Sequence, residues 1–362
     1  MALVANIRLS AGAMVLARGL LVLVLSALLS SPVASSSSSS SASPGVVPPR
    51  ARPFAVVGYL PEYRHEGRDW NATCASLTHL LLFSVEVDRE ANLVALDRLP
   101  RPDGDAAIAL RDAAARHGTK LLVTLGGAGR ANALPLVAAD ERLRRRLART
   151  LARFCLDRGF HGVDVNWEYP SRPEEWTAHV ALLRAVRRAF VETRASPPLV
   201  LTAAYHPRGD SERRLRAEAA GRVLDFAHAM SYDFRVEAPR DALRRASDAN
   251  LPLTMITVGI PFYATNIRTG ATKTYEEVTR DRPRGDEGWA WNDQSAVRAK
   301  TREAMEAGAG GVMVWEVGQD LHPTDPKSLL RAVAEEVWPK GRLSPDAERR
   351  SDEAKSHAKP EL

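Results

Sequence analysis

The sequence predicts an α/β protein built as a closed (β/α)8 barrel, the TIM-barrel architecture, and three observations carry that prediction. Between residues 54 and 340, eight short apolar runs bounded by glycine or proline alternate with amphipathic stretches. Runs of this kind mark strands buried on both faces, as in a parallel sheet. The length suits one such barrel, which commonly takes ~250 residues. No Gly-x-Gly-x-x-Gly turn follows the first run, which argues against an open, doubly wound sheet.

The strands are predicted at Ala55 to Leu60, Leu77 to Val85, Lys120 to Leu125, Gly162 to Trp167, Leu199 to Ala204, Leu224 to Met230, Leu253 to Ile260 and Gly311 to Trp315. A weakly marked first helix falls near Asn71 to Ser76. The second, Asp105 to His117, is alanine-rich with its charges on one side. The third, Asp140 to Asp157, opens with an Asp cap and Glu141 in its first turn. Ser171 to Arg194 carries proline in its first turn, where the missing N–H costs nothing. Ser211 to Ala220, Asp241 to Ala249, Ser295 to Ala307 and Pro326 to Val337 complete the set.

Outside the barrel the composition changes. Arg8 and Arg18 precede an apolar run from Gly19 to Leu29, and mostly small residues follow, which predicts a secretory signal peptide over residues 1–34. That run is shorter than the ~20 residues of a membrane span. Residues 35–53 read as a disordered Ser/Pro-rich linker and 341–362 as a charged disordered tail. The last four residues, Lys359-Pro360-Glu361-Leu362, partly resemble an endoplasmic-reticulum retention signal; Pro360 departs from it, and secretion is the expectation. Asn71-Ala72-Thr73 is a glycosylation acceptor for a chain entering that pathway.

The net charge of +6 arises from arginines on predicted helix faces, with no aromatic-interleaved basic stretch, so nucleic acid is not expected as a partner. Cys74 and Cys155 lie on different predicted helices; a disulfide and two separately buried thiols are both open. No Cys/His cluster has metal-ligand spacing, so neither metal nor cofactor is expected.

The fourth strand carries the chemistry. In residues 160–170, Asp164, Asn166 and Glu168 alternate with Val163, Val165 and Trp167. A period of two puts the polar row on one face and the apolar row on the other. A glutamate at the C-terminal end of a barrel strand, where active sites of this architecture lie, is placed to act as a general acid. The other strand ends add Tyr59, Tyr63, Phe83, Tyr205-His206, Tyr232, Tyr263 and Trp315. Aromatics and carboxyls converging on one face suit a sugar, with its apolar ring face and polar rim.

The run from His161 to Pro170 resembles the Asp-x-x-Asp-x-Asp-x-Glu signature of the family 18 glycoside hydrolases, with Asp164 and Glu168 kept, His161 at the first Asp and Asn166 at the third. Thr124-Leu125-Gly126-Gly127 is similar to the family's Ser-x-Gly-Gly, with threonine for serine. Met230-Ser231-Tyr232-Asp233, Gly259 to Tyr263 and Gly310 to Glu316 resemble its sixth, seventh and eighth strands, in order. The resemblance covers the whole predicted barrel. Some members carry an α+β insertion after strand seven; the spacing here predicts none of that size, and hence a shallower cleft. Ala128 stands where the family often has tryptophan.

The resemblance implies retaining, substrate-assisted hydrolysis of β-1,4-linked N-acetylglucosamine oligomers, a departure from the two-carboxylate scheme. Catalytic candidates are then Glu168, Asn166, Asp164 and Tyr232, and sugar-binding candidates Tyr59, Phe83, Gly126, Gly127, Trp167, Tyr169, Met230, Asp233 and Trp315. Asn166 predicts reduced activity displaced toward acid pH, because an amide supplies no negative charge. His161 is out of phase with the polar row and is expected to be a satisfied core residue. The alternative is a chitinase-like lectin that binds such sugars without cleaving them; a secreted scaffold for a protein partner is a third reading. Chitin or its oligosaccharides are the expected partner of a monomer.

Overall fold

In the computed structural model, which describes residues 53–217, 223–232, 239–281 and 288–342, the eight apolar runs lie side by side. They form β1 (Ala55–Pro61), β2 (His79–Val87), β3 (Lys120–Gly126), β4 (Gly162–Asn166), β5 (Val200–Tyr205), β6 (Phe226–Ala229), β7 (Ile256–Pro261) and β8 (Gly311–Trp315). Each strand pairs in parallel with the next, and β8 pairs with β1, so the sheet closes into a (β/α)8 barrel. β1, β4, β5 and β6 are buried throughout, and each of the other four strands has a single half-buried residue. Most of these runs lack a polar face for that reason; β4, with Asp164 and Asn166 on one face, is the exception.

A helix follows each strand: α1 (Trp70–Ala75), α2 (Asp105–His117), α3 (Glu141–Arg158), α4 (Pro173–Glu192), α5 (Ser211–Ala217), α6 (Pro239–Asp248), α7 (Gln294–Glu306) and α8 (Leu329–Val337). Side-chain caps start several of them. Asp69 accepts from Ala72 N on α1, Asp140 from Leu143 N on α3, and Asp293 from Ala296 N on α7, at 2.8–2.9 Å. Such a cap contributes about 1 kcal/mol. On α8, Ser328 caps Arg331 N while the buried Asp320 accepts from Leu329 N and Leu330 N. That double anchoring begins the helix at Leu329 rather than at the predicted Pro326.

The core has two compartments. Val163 and Val165 of β4 and Trp167 just after it face outward, with Leu147, Leu151 and Val180 of α3 and α4 in the same buried cluster. Inside the barrel a second cluster contains Val57, Tyr59, Leu81, Leu122, Phe226 and Met313. Between β7 and α7 the described residues add a small antiparallel sheet (Thr272–Thr274, Tyr263–Asn266, Trp289–Ala290) and a short helix, Tyr275–Asp281. No sizeable α+β insertion is present among the described residues. Cys74 and Cys155 are separate buried thiols. No helix among the described residues is long and apolar enough to cross a membrane. The expected signal peptide, nearly all of the linker and tail, Lys359 to Leu362 and Asp233 lie outside the described residues.

Candidate active site

Register assembles the site. Thr124 on β3, Asp164 on β4 and Thr202 on β5 are paired neighbours, so two hydroxyls flank one inward carboxylate. Thr202 donates to Asp164 at 2.8 Å and Thr124 at 3.3 Å, and Tyr59 donates from across the barrel at 2.8 Å. Asp164 is fully buried. Burial pushes its carboxyl up to about 6; the three hydroxyls pull the other way, and the Glu168 charge adds to the rise. Burial, followed by the Asp164 charge and hydrogen bond, holds the Tyr59 phenol well above its ordinary value.

His228 on β6 stands 3.8 Å from Asp164, Nε2 to Oδ1. It is not an ion-pair partner, because complete burial pushes the imidazole down to about 3 and leaves it neutral. Its Nδ1 lies 2.6 Å from Thr257 Oγ1. The middle of the barrel is thus a closed layer of polar groups beneath the mouth.

Above that layer lies a cavity of about 280 Å³. Glu168, Asn166, Tyr232, Met230, Tyr59, Phe83, Tyr169 and Trp315 all line it. Trp315, Phe83 and Tyr59 make an aromatic corner: the Trp315 ring centroid is 4.8 Å from that of Phe83 and 5.4 Å from that of Tyr59. Glu168 is half-buried and Tyr169 is exposed. Asn166 is only 2% exposed, and its Oδ1 is buried with no hydrogen-bond partner. An unpaired buried acceptor costs roughly 1–3 kcal/mol. Tyr232 has room because residue 259 is glycine; a Cβ there would lie 2.7 Å from the tyrosine ring.

Among the described residues, three expected sugar contacts are absent from the lining. Trp167 packs edge-on against His179 of α4, 5.6 Å between centroids, on the outer side of the barrel. Gly126 and Gly127 act through close approach. Both have positive φ, +95° and +108°, and Cβ atoms there would meet Asn166 O at 2.4 Å and the Phe83 ring at 2.2 Å. Gly127 N donates to Asn166 O at 2.7 Å, which ties the β3 end to the β4 end. His161 sits away from the cavity, and its Nδ1 accepts from Leu121 N at 3.0 Å.

The cavity also takes side chains that were not predicted for it. Arg130 is bidentate to Glu62, at 2.7 and 3.1 Å, and lies over the Phe83 ring, 5.2 Å from its centroid. His206, Tyr63 and Ala128 also line the cavity. Tyr63 and His206 were readable as strand-end residues; nothing in the sequence marked Arg130.

Residues 55–320 match the family described as Glycosyl hydrolases family 18. The chain belongs to this family. A class V chitinase of Arabidopsis thaliana is 26% identical over 322 residues, covering 72% of this chain and 84% of that one. A mutant of catalytic domain 2 of the Ostrinia furnacalis Group II chitinase, solved in complex with (NAG)5, superposes with a TM-score of 0.67 at 17% identity, covering 81% of this chain and 98% of that one. The chitinase-like agglutinin RobpsCRA of Robinia pseudoacacia gives 0.65 at 19% identity, covering 78% and 99%. At such identities the structural likenesses speak for the fold, which these chitinases and the agglutinin share with this family member.

Proposed function

We propose that the chain is a secreted, monomeric glycosidase that hydrolyses short β-1,4-linked N-acetylglucosamine oligomers with retention, at a reduced rate. The observation that carries this reading is the convergence of Glu168, Asn166 and Tyr232 on one aromatic-cornered cavity. Glu168 protonates the glycosidic oxygen as the acetamido oxygen of the same sugar attacks C1. The C1–oxygen bond breaks, the leaving sugar departs with the proton, and an oxazolinium ion remains. Water then attacks C1 and gives up a proton to Glu168, which restores the acid. The lone acceptor of Asn166 suits the acetamido N–H, and Tyr232 holds the acetamido oxygen. Asn166 cannot balance the cation; a lost contact of that kind costs about 2.7–4 kcal/mol, or ~100 to 1,000-fold in rate.

The cavity suits one or two sugar rings rather than a long chain, since the Arg130–Glu62 pair and Ala128 take the place of an extended stacking wall. The test is cleavage of chitotetraose by the wild type and Glu168→Gln, with binding measured for both. Cleavage by the wild type alone supports the reading. The amide at 166 favours one second reading, a lectin, for which both proteins bind and neither cleaves. Secretion is read from the N-terminal segment and is tested by N-terminal sequencing of protein recovered outside the cell.

A further inference from the structure

We propose that the hollow at the strand-start end of the barrel is a second binding site, taking a small amphipathic anion: a carboxylate or sulfonate on an aromatic or aliphatic body. This hollow measures about 470 Å³, against about 280 Å³ at the mouth, and falls in the ~300–1,000 Å³ range of small-molecule pockets. Its walls divide by chemistry. Phe54, Phe226, Trp338, Leu199 and Val200 supply an apolar surface. Among the described residues that line it, Lys120, Arg187 and Arg342 are cationic and Asp225 is the one carboxylate, a formal excess of two positive charges.

Both guanidiniums are fixed in place. Arg187 donates to Val223 O at 2.7 Å, Leu199 O at 3.0 Å and Asp225 at 2.5 Å. Arg342 donates to Cys74 O and Thr119 Oγ1, each at 3.3 Å, and lies over the Trp338 ring, 5.2 Å from its centroid. Cationic groups already held in place lose little freedom when an anion arrives. Asp225 is turned to Arg187 and to Leu201 N at 2.9 Å.

At the floor, His79 stands edge-on to Phe226, with centroids 5.5 Å apart, and its Nδ1 is 2.8 Å from Thr78 Oγ1. Burial, then the Lys120 charge, holds this imidazole well below its usual range, so it meets an anion as a neutral polar edge. The buried Asp164–His228 layer separates the hollow from the mouth. A ligand here does not compete with the sugar.

The experiment is a fluorescence titration of the full chain with anilinonaphthalene sulfonate, with and without saturating chitotetraose, followed by displacement with decanoate. The expected result is one probe per folded chain, displaced by decanoate and indifferent to chitotetraose. Binding weakens at least ~tenfold in Lys120→Glu and is unchanged in Trp315→Ala at the mouth. Near-UV circular dichroism checks that each variant is folded; Lys120→Met replaces Lys120→Glu if the latter is not. Absent or unsaturable binding, displacement by chitotetraose, or full affinity in the folded Lys120 variant overturns the assignment.

Discussion

Replacing Asn166 with aspartate returns a negative charge to the point where the reaction develops a positive one. The side chain is 2% exposed, so water screens the new charge poorly. On that ground the gain in transition-state stabilisation is about 2.7–4 kcal/mol, a rise in kcat of ~100 to 1,000-fold. The same charge has a structural cost. Residues two apart on a strand are about 6.8 Å apart, and at an effective dielectric of ~20 two carboxylates at that distance repel by about 2.4 kcal/mol. Asp164 is the neighbour in question, and its carboxyl is pushed up to about 6. The variant therefore loses stability chiefly above that pH, where both groups are charged. Its activity optimum also lies on the neutral side of the wild type's. The assay pairs steady-state kinetics on chitotetraose with urea melts on either side of pH ~6. A folded variant that binds the sugar but gains less than ~tenfold in kcat would refute the placement of the acetamido group over residue 166.

Asp164→Asn tests the buried layer. The carboxyl rises from an ordinary 3.8 to about 6, so the folded state holds a proton that the unfolded chain has released. That stability is present below the unfolded value and is lost as pH rises through the folded one. Wild type minus variant therefore falls by roughly 3 kcal/mol across that window, read from melts at each pH. Gly127→Ala forces a Cβ to within 2.2 Å of the Phe83 ring at a φ of +108°; it lowers stability by roughly 1–3 kcal/mol and distorts the mouth, seen as a lower Tm with a raised KM. Burial pushes both Cys74 and Cys155 up to about 12, so neither thiol reacts with a chromogenic disulfide at neutral pH until denaturant is added.

Much of the barrel was legible because burial on both faces leaves a plain trace: apolar runs bounded by glycine or proline. The strand limits moved by a few residues where local geometry intervened. Leu253–Met255 form a 3-10 turn, so β7 starts at Ile256. The inward row of β4 was legible from alternation alone, and the same alternation puts Trp167 outside, with Val163 and Val165. Its assignment to the sugar rested on the family motif and ran against its own phase. Gly126 and Gly127 were legible as special but not as packing devices, since the carbonyl that Gly126 accommodates comes from β4 and the ring that Gly127 accommodates from β2. His206 and Tyr63 were legible as residues at the ends of β5 and β1, whereas Arg130 and Ala128 come from the loop after β3, whose path no periodicity dictates. The His228–Thr257 contact joins two strands through register, which a single sequence does not encode locally.

The most direct measurement of the central claim is proton NMR of the sugar during hydrolysis, run on chitotetraose and on its fully deacetylated counterpart. A reaction led by Glu168 and the substrate's own acetamido oxygen yields the β anomer first at each new reducing end, and leaves the deacetylated tetramer intact. An α anomer appearing first, equal cleavage of both tetramers, or no new reducing end from either would contradict it.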